Sequence, residues 1–148
     1  LFLKFFKVSR KIKFSRVIQA CPEEVFNQIS KFENYTLFIP GCSKAKLIEK
    51  NDKFEIGELE FEFLHKKYYI KSRNLISNNH IKIEQIKGPF RLFDCSWKIT
   101  SNDVNVTEIF FEAEFELPFL LDNLLPDKII NNFCDILVNA FIKRVVKK

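Results

Sequence analysis

The chain has 148 residues, the size of one domain with room for a substantial core. Hydrophobic residues make up 47% of it, with 18 Phe and no Met, and the formal net charge is +5. No apolar run reaches the roughly 20 residues of a membrane-spanning helix, which argues against an integral helical membrane protein and predicts a soluble or peripheral one. The positive charge favours an anionic partner such as ribosomal RNA or phospholipid head groups, although a solvated basic surface is the simpler explanation.

Residues 1–10 are basic and apolar, and the first acidic residue of the chain is Glu23. A signal peptide would need a longer apolar run and a small-residue cleavage site. We therefore interpret residues 1–10 as a basic tail or targeting remnant, followed by one domain over residues 11–148.

Apolar and polar residues alternate over residues 11–19, which predicts a first strand. A helix is predicted to start at Pro22, because proline at the first helical position followed by two carboxylates is a helix-start pattern, and to end around residues 32–34. Residues 35–42 are too apolar for an exposed loop and should pack against the domain.

The next part of the chain is predicted to form a meander of short strands with hairpin-length turns. In the strand from Phe54 to Phe63, the inward parity changes across residues 57–58, which predicts a β-bulge at that point. Further strands are predicted over residues 43–50, 68–76, 81–86, 93–99 and 109–117.

From Asp127 a long helix with one broad apolar face runs to the end of the chain. Short turns favour antiparallel pairing of the strands. The predicted fold is therefore α+β: a bent antiparallel sheet of about six to seven strands wrapped around a long C-terminal helix, which is the helix-grip arrangement.

Signatures of catalysis or metal binding are weak. His65 and His80 fall in or beside predicted turns without a serine, aspartate or cysteine at a recognisable spacing, so we interpret both as surface residues. The cysteines are scattered and form no C-x-x-C pair, which favours reduced, buried thiols over disulfides or zinc ligands. We expect no catalytic residue, no metal and no cofactor.

Three short motifs stand in order along the chain. Residues 35–42 read Tyr-x-x-Phe-Ile-Pro-Gly-Cys, residues 88–91 read Gly-Pro-Phe-Arg ahead of the single tryptophan Trp97, and residues 140–144 read Ala-Phe-x-x-Arg. Together they resemble the coenzyme Q-binding START-domain family, which includes mitochondrial ubiquinone-binding proteins and a bacterial branch of ribosome association toxins (RatA). The resemblance covers about residues 11–147.

This resemblance implies a START-like fold with an apolar cavity between the bent sheet and the C-terminal helix. It also implies non-enzymatic binding of ubiquinone or a related isoprenoid lipid, in support of quinone delivery to respiratory electron transport. From periodicity alone, a closed core is the simpler explanation of the same side chains. The residues expected to line or cap the cavity are Phe38, Pro40, Phe61, Phe63, Phe90, Trp97, Ala113, Phe115, Phe133, Leu137 and Phe141.

Two other functions stay open. Mitochondrial members of the family usually have tryptophan after the loop proline, whereas Gly41 stands there in this chain, as in the RatA branch. A RatA-like protein would bind the large ribosomal subunit and inhibit translation. The third alternative, a polyketide cyclase or aromatase, would need an inward-facing acid–base set that the sequence does not indicate. The candidate RNA-binding residues are Lys44, Lys46, Lys66, Lys67, Lys71 and Arg73.

The expected location depends on the source of the chain. It would be the cytoplasm in a bacterium, or the matrix side of the inner membrane in a mitochondrion. An anionic membrane surface is a further candidate partner, and no DNA partner is expected.

Overall fold

The computed structural model describes residues 9–146, and the first eight residues of the expected basic tail lie outside this range. Arg10, which the sequence groups with that tail, is the first residue of β1. The elements are β1 (Arg10–Ile18), α1 (Pro22–Ser30), a 3-10 helix (Phe32–Leu37), β2 (Cys42–Lys50), β3 (Phe54–Phe63), β4 (Lys66–Ser77), β5 (His80–Lys87), β6 (Leu92–Asp103), β7 (Val106–Glu116), α2 (Phe119–Leu124) and α3 (Asp127–Val146).

The strands form one antiparallel sheet in the order β1-β7-β6-β5-β4-β3-β2. β1 pairs with β7, so the segment containing α1 and the 3-10 helix carries the chain from one edge of the sheet to the other. Strands β3, β5 and β7 finish at the same end, which we call the upper end. α3 begins there and packs on the inner face of the sheet. The predicted α+β helix-grip fold is confirmed.

α1 begins at Pro22 with Glu23 and Glu24 in its first turn, as predicted, and buries Val25 and Ile29. It ends at Ser30, before the predicted boundary, because the chain tightens into the 3-10 helix. That helix buries the ring of its first residue, Phe32, under the edge of the sheet.

The predicted bulge in β3 is wrong. β3 pairs with β4 without a shift, and its inward side continues through Glu55 and Gly57 rather than changing parity. The irregularities lie in the neighbouring strand β2, between Cys42 and Lys44 and between Leu47 and Glu49, where Ser43 and Ile48 are the extra residues. The alternation of apolar and polar residues predicts the wrong inward side here, because Glu55 and Gly57 occupy inward positions that usually hold large apolar residues.

The inward position 57 is a glycine because the Phe32 ring occupies the space that a side chain would need. A Cβ at this position would overlap the Phe32 ring. Phe32 is 3% exposed, so the ring has little freedom to move away. The absence of a side chain at residue 57 therefore fixes how the 3-10 helix packs on the sheet.

Polar residues that the sequence did not single out follow Glu55 on this inner face. Ser72 and Asn74 on β4 are buried, and the Ser72 hydroxyl donates a hydrogen bond of 3.0 Å to Asn74 Oδ1. Loss of hydration raises the pKa of the Glu55 carboxyl, which Lys50 at 3.9 Å offsets and Glu33 reinforces.

The largest part of the core surrounds Trp97. Its ring lies 4.7 Å from that of Phe111, 5.6 Å from that of Phe141 and 6.3 Å from that of Phe14, measured between centroids. These contacts join β1, β6, β7 and α3. The fully buried Thr107 hydroxyl donates a 2.7 Å hydrogen bond to the carbonyl between β1 and α1.

Replacing Gly57 with alanine tests the packing of the 3-10 helix. We expect G57A to destabilise the protein by about 1–3 kcal/mol, since the added methyl overpacks the Phe32 ring. Chemical denaturation measures this, with E58A on the opposite face of β3 as control. The explanation fails if G57A costs as much stability in an F32L background as it does in the wild type.

The pH dependence of stability tests the environment of Glu55. Because its pKa is raised in the folded state, ionisation above the unfolded pKa of about 4.3 disfavours folding. We expect E55Q to raise the melting temperature at pH 7, and the gain to disappear below about pH 4, where the carboxyl is protonated in both states. A gain that persists at low pH, or a loss at pH 7, would contradict the raised pKa.

Candidate functional site

The candidate ligand-binding residues fall into three groups. Phe61 and Phe63 on β3, Trp97 on β6, and Ala113 and Phe115 on β7 are on the inner face of the sheet. A second group lies on the α3 face that packs against it: Phe133, Leu137 and Phe141. The third group lies between elements: Phe38 and Pro40 precede β2, and Phe90 is in the β5–β6 turn.

The first region of this interior is a closed aromatic cluster. The Phe141 ring contacts the rings of Tyr35 and Phe38, each at 5.4 Å, in addition to Trp97. Phe38 therefore packs against α3, and Pro40, which is exposed, lies beyond it. Gly41 completes this loop at φ 84°, where the Glu62 amide donates a 2.8 Å hydrogen bond to the Gly41 carbonyl.

The second region, towards the upper end, is less completely filled. The rings of Phe63 and Phe133 meet at 4.8 Å and join β3 to α3. Nevertheless Phe61, Phe63, Phe133 and Leu137 are all only partly buried, although they are on the inward sides of their elements. The space between β3 and α3 therefore retains accessible apolar surface.

A cleft of about 540 Å³ opens on the other side of α3, between β1 and the α2–α3 junction. Phe115 is the member of the predicted ligand set that lines it. Ile12 and Ile130 add apolar surface, and Arg10 and Asp127 add charge. The sequence does not predict this cleft, because the cleft depends on how α2 folds back towards β1.

Arg10 fixes that position. Its guanidinium pairs with the carboxylates of Asp122 at 2.9 Å and Asp127 at 3.5 Å, and it donates hydrogen bonds to the backbone carbonyls of Asp122 and Leu125. The Arg10 side chain is 16% exposed, so its charge-assisted contact with the mostly buried Asp122 is largely desolvated, whereas Asp127 is exposed. Sequence reasoning missed this residue, although it shares the inward parity of Ile12.

The interior thiols and Tyr35 are neutral near pH 7. Burial raises the pKa values of Cys42 and Cys134 to about 11 and also raises those of Cys95 and Tyr35. All four cysteines have free thiols; Cys42 and Cys95 are buried as expected, whereas Cys21 and Cys134 are only partly buried. Within residues 9–146, no group of three or more His, Cys, Asp or Glu side chains is arranged to hold a metal ion.

The candidate basic residues do not form an uninterrupted patch. Lys44 and Lys46 on β2, and Lys67, Lys71 and Arg73 on β4, are on the outer face of the sheet. Lys66 has the opposite parity, and its ammonium lies 5.7 Å from the centre of the Tyr68 ring. Glutamates of β3 run between the two sets, and Glu60 lies within 4.0 Å of both Lys44 and Lys67.

One position on the outer face has concentrated positive charge. Lys71 on β4 is directly opposite Lys87 on β5, a residue that the sequence analysis did not select. Glu58 on β3 is opposite Lys71 on its other side, but neither lysine forms an ion pair among the described residues. Like charges directly opposite each other are unfavourable in a sheet, and a bound anion would relieve the repulsion.

Known proteins resemble this chain in sequence. It is 24% identical over 136 residues to the ribosome association toxin RatA of Vibrio cholerae, which covers 91% of this chain and 94% of that protein. It is 25% identical over 139 residues to the RatA of Rickettsia prowazekii, with coverage of 88% and 92%.

Solved structures share the fold. The Zhui aromatase/cyclase of a Streptomyces species has a TM-score of 0.82 at 15% identity, and each chain covers 95% of the other. A START superfamily protein of Mycobacterium smegmatis has a TM-score of 0.81 at 15% identity, with coverage of 93% and 97%. Norcoclaurine synthase of Thalictrum flavum has a TM-score of 0.70 at 15% identity, with coverage of 99% and 92%.

These likenesses correct one expectation. The conclusion that the protein is not an enzyme is wrong, because an aromatase/cyclase and norcoclaurine synthase are built on the same fold. The expected START-like resemblance is confirmed. No helix among residues 9–146 is long and apolar enough to cross a membrane.

The family of the chain is identified by a sequence match that covers most of its length. Residues 18–142 match the sequence model of the family described as "Polyketide cyclase / dehydrase and lipid transport". The chain belongs to this polyketide cyclase/START-like family.

Proposed function

We propose that the protein binds an apolar isoprenoid lipid, with ubiquinone as the leading candidate, between the inner face of the sheet and α3. The observation that carries the proposal is the incomplete burial of inward-facing apolar residues on β3 and α3, namely Phe61, Phe63, Phe133 and Leu137. Apolar surface left accessible inside a fold is the kind of surface that a lipid tail would cover, at about 25 cal/mol per Å² removed from water.

Trp97 supports a ligand with a polar head. The side chain is 7% exposed, and its indole N–H forms no hydrogen bond among residues 9–146 but is not fully closed off from solvent. An indole N–H in apolar surroundings usually finds an acceptor. A quinone carbonyl would supply one, while the isoprenoid tail would lie along the Phe63–Phe133 region. The lipid transport part of the family description agrees with such a ligand.

The experiment is organic extraction of the purified protein followed by mass spectrometry for quinones. We expect L137N to lower the quinone recovered per folded protein by about tenfold or more, since it places an amide on the lipid-facing side of α3. The matched control is I136N, one residue away on α3, where the side chain is exposed.

A second variant separates ligand loss from instability. W97F keeps the aromatic packing but removes the N–H, so it should weaken quinone retention without unfolding the protein. The proposal is contradicted if wild-type protein from quinone-producing cells carries no quinone, or if L137N and I136N retain equal amounts.

Ribosome association is a second candidate function. Two observations favour it: the RatA relatives match nearly the full length of the chain, and Lys71 and Lys87 are opposite each other on the outer face with no ion pair to an acid among the described residues. Paired lysines on an exposed sheet would contact phosphates of ribosomal RNA, and this binding would be salt-dependent.

Charge reversal tests this second function. We expect K71E/K87E to weaken co-sedimentation with large ribosomal subunits strongly, and the remaining binding to depend less on salt concentration, by the equivalent of about two phosphate contacts. The matched control is K13E/K82E, which changes the net charge equally but replaces lysines already near Glu112 and Glu84. Equal binding by both double variants would contradict an interface at Lys71 and Lys87.

A further inference from the structure

Exposed apolar side chains are concentrated at the upper end of the sheet. Leu64, in the β3–β4 turn, is 56% exposed. In α2, which follows β7, the exposed fractions are 55% for Phe119, 78% for Leu120 and 69% for Leu124. At the opposite end, the hairpin turns at residues 51–53 and 78–79 are polar, and the exposed apolar turn residue there is Val104.

The segments that carry these residues pack on one apolar cluster. Phe63, which precedes the turn, belongs to the same apolar cluster as Phe90 of the β5–β6 turn and Leu121 of α2. Arg10 holds the end of α2 through its backbone carbonyls. The exposed leucines therefore project from a single packed platform.

Leu64 is an unfavourable residue for its position. Leu64 and His65 form a two-residue turn with φ angles of 51° and 63°, a left-handed conformation that glycine and asparagine adopt most readily. The turn between β4 and β5 has Asn79 at φ 55° for the same purpose. At residue 64 the chain therefore has an apolar side chain in a strained conformation and in contact with solvent. This combination is typical of a functional position.

Basic residues accompany the apolar ones. Lys66, Lys87, Arg91 and Lys128 are exposed at the same end, and none of them forms an ion pair among residues 9–146. The acids of α2 and of the start of α3, Asp122 and Asp127, are paired with Arg10 instead. Glu62 and Glu116, at the ends of β3 and β7, also form no ion pair among residues 9–146, so these four unpaired cations outnumber two unpaired carboxylates.

We propose that the upper end docks on an anionic phospholipid membrane, with Leu64, Leu120 and Leu124 entering the apolar boundary and the lysines and Arg91 contacting head groups. Exposed leucines surrounded by lysine and arginine complement a membrane, which has anionic head groups at its surface and apolar acyl chains beneath them. RNA offers no apolar phase for the leucines, and a symmetric second copy would place the same cations against each other.

The inference rests on the proposed lipid function for its purpose, because docking at this end would bring the β3–α3 opening next to the bilayer. Its measurement does not depend on a ligand. Vesicle binding is measured with quinone-free protein, whereas quinone binding is measured in solution. If vesicle binding is absent while quinone binding is retained, the docking proposal has failed; if quinone binding is absent while vesicle binding is retained, the proposed lipid function has failed.

The experiment is co-sedimentation of the full chain with phosphatidylcholine vesicles, with and without phosphatidylglycerol. We expect wild-type protein to pellet with the anionic vesicles only. L64N/L120N should lower the partition coefficient by about tenfold or more, because it removes two leucines from the apolar layer. The matched control V104N, an exposed apolar turn residue at the opposite end, should bind like the wild type.

Stability separates docking from folding. L64N places asparagine in the left-handed position, so its melting temperature should equal or exceed that of the wild type while vesicle binding falls. The proposal is overturned if wild-type protein does not bind anionic vesicles, or if V104N loses binding as much as L64N/L120N. It is also overturned if the wild type is a dimer that the leucine substitutions dissociate, or if these substitutions abolish co-sedimentation with ribosomes.

Discussion

The structure depends on how α3 is held over the concave face of the sheet. Near the middle, the Phe141 ring packs against Trp97, Tyr35 and Phe38 and closes the interior. Towards the upper end the contact narrows to the ring pair Phe63–Phe133. The same helix is therefore firmly packed in one half and loosely packed in the other. This difference leaves the accessible apolar surface on which the proposed lipid function depends.

On the other side of α3, ion pairs and hydrogen bonds, not aromatic contacts, hold α2 and the α2–α3 junction against β1. Arg10 at the start of β1 takes two carboxylates and two carbonyls from α2 and the α2–α3 junction. Because the guanidinium is mostly withdrawn from water, removing any of these partners would leave a poorly solvated charge. The arrangement fixes both the cleft beside β1 and the presentation of the exposed leucines of α2.

Much of the fold could be predicted from the sequence, because strands with one buried face alternate strictly and the long helix has one broad apolar stripe. The exceptions share a physical cause. The inward position 57 holds a glycine because the Phe32 ring fills the space there. The inward Arg10 is stabilised by partners more than a hundred residues away along the chain. Such choices depend on tertiary neighbours, which local periodicity does not contain. Of the predicted site, the aromatic lining was accessible to sequence reasoning, whereas the Lys71–Lys87 pair required the strand register.

The family spans binding proteins and enzymes on one architecture, so the interior decides the function. The central claim is that this interior takes a quinone, and Trp97, the single tryptophan, reports on it directly. The most direct measurement is titration of quinone-free protein with a soluble ubiquinone analogue while following Trp97 fluorescence. The account predicts saturable quenching at one quinone per chain, weakened in L137N and unchanged in I136N. Linear, non-saturating quenching equal to that of the unfolded protein would contradict it.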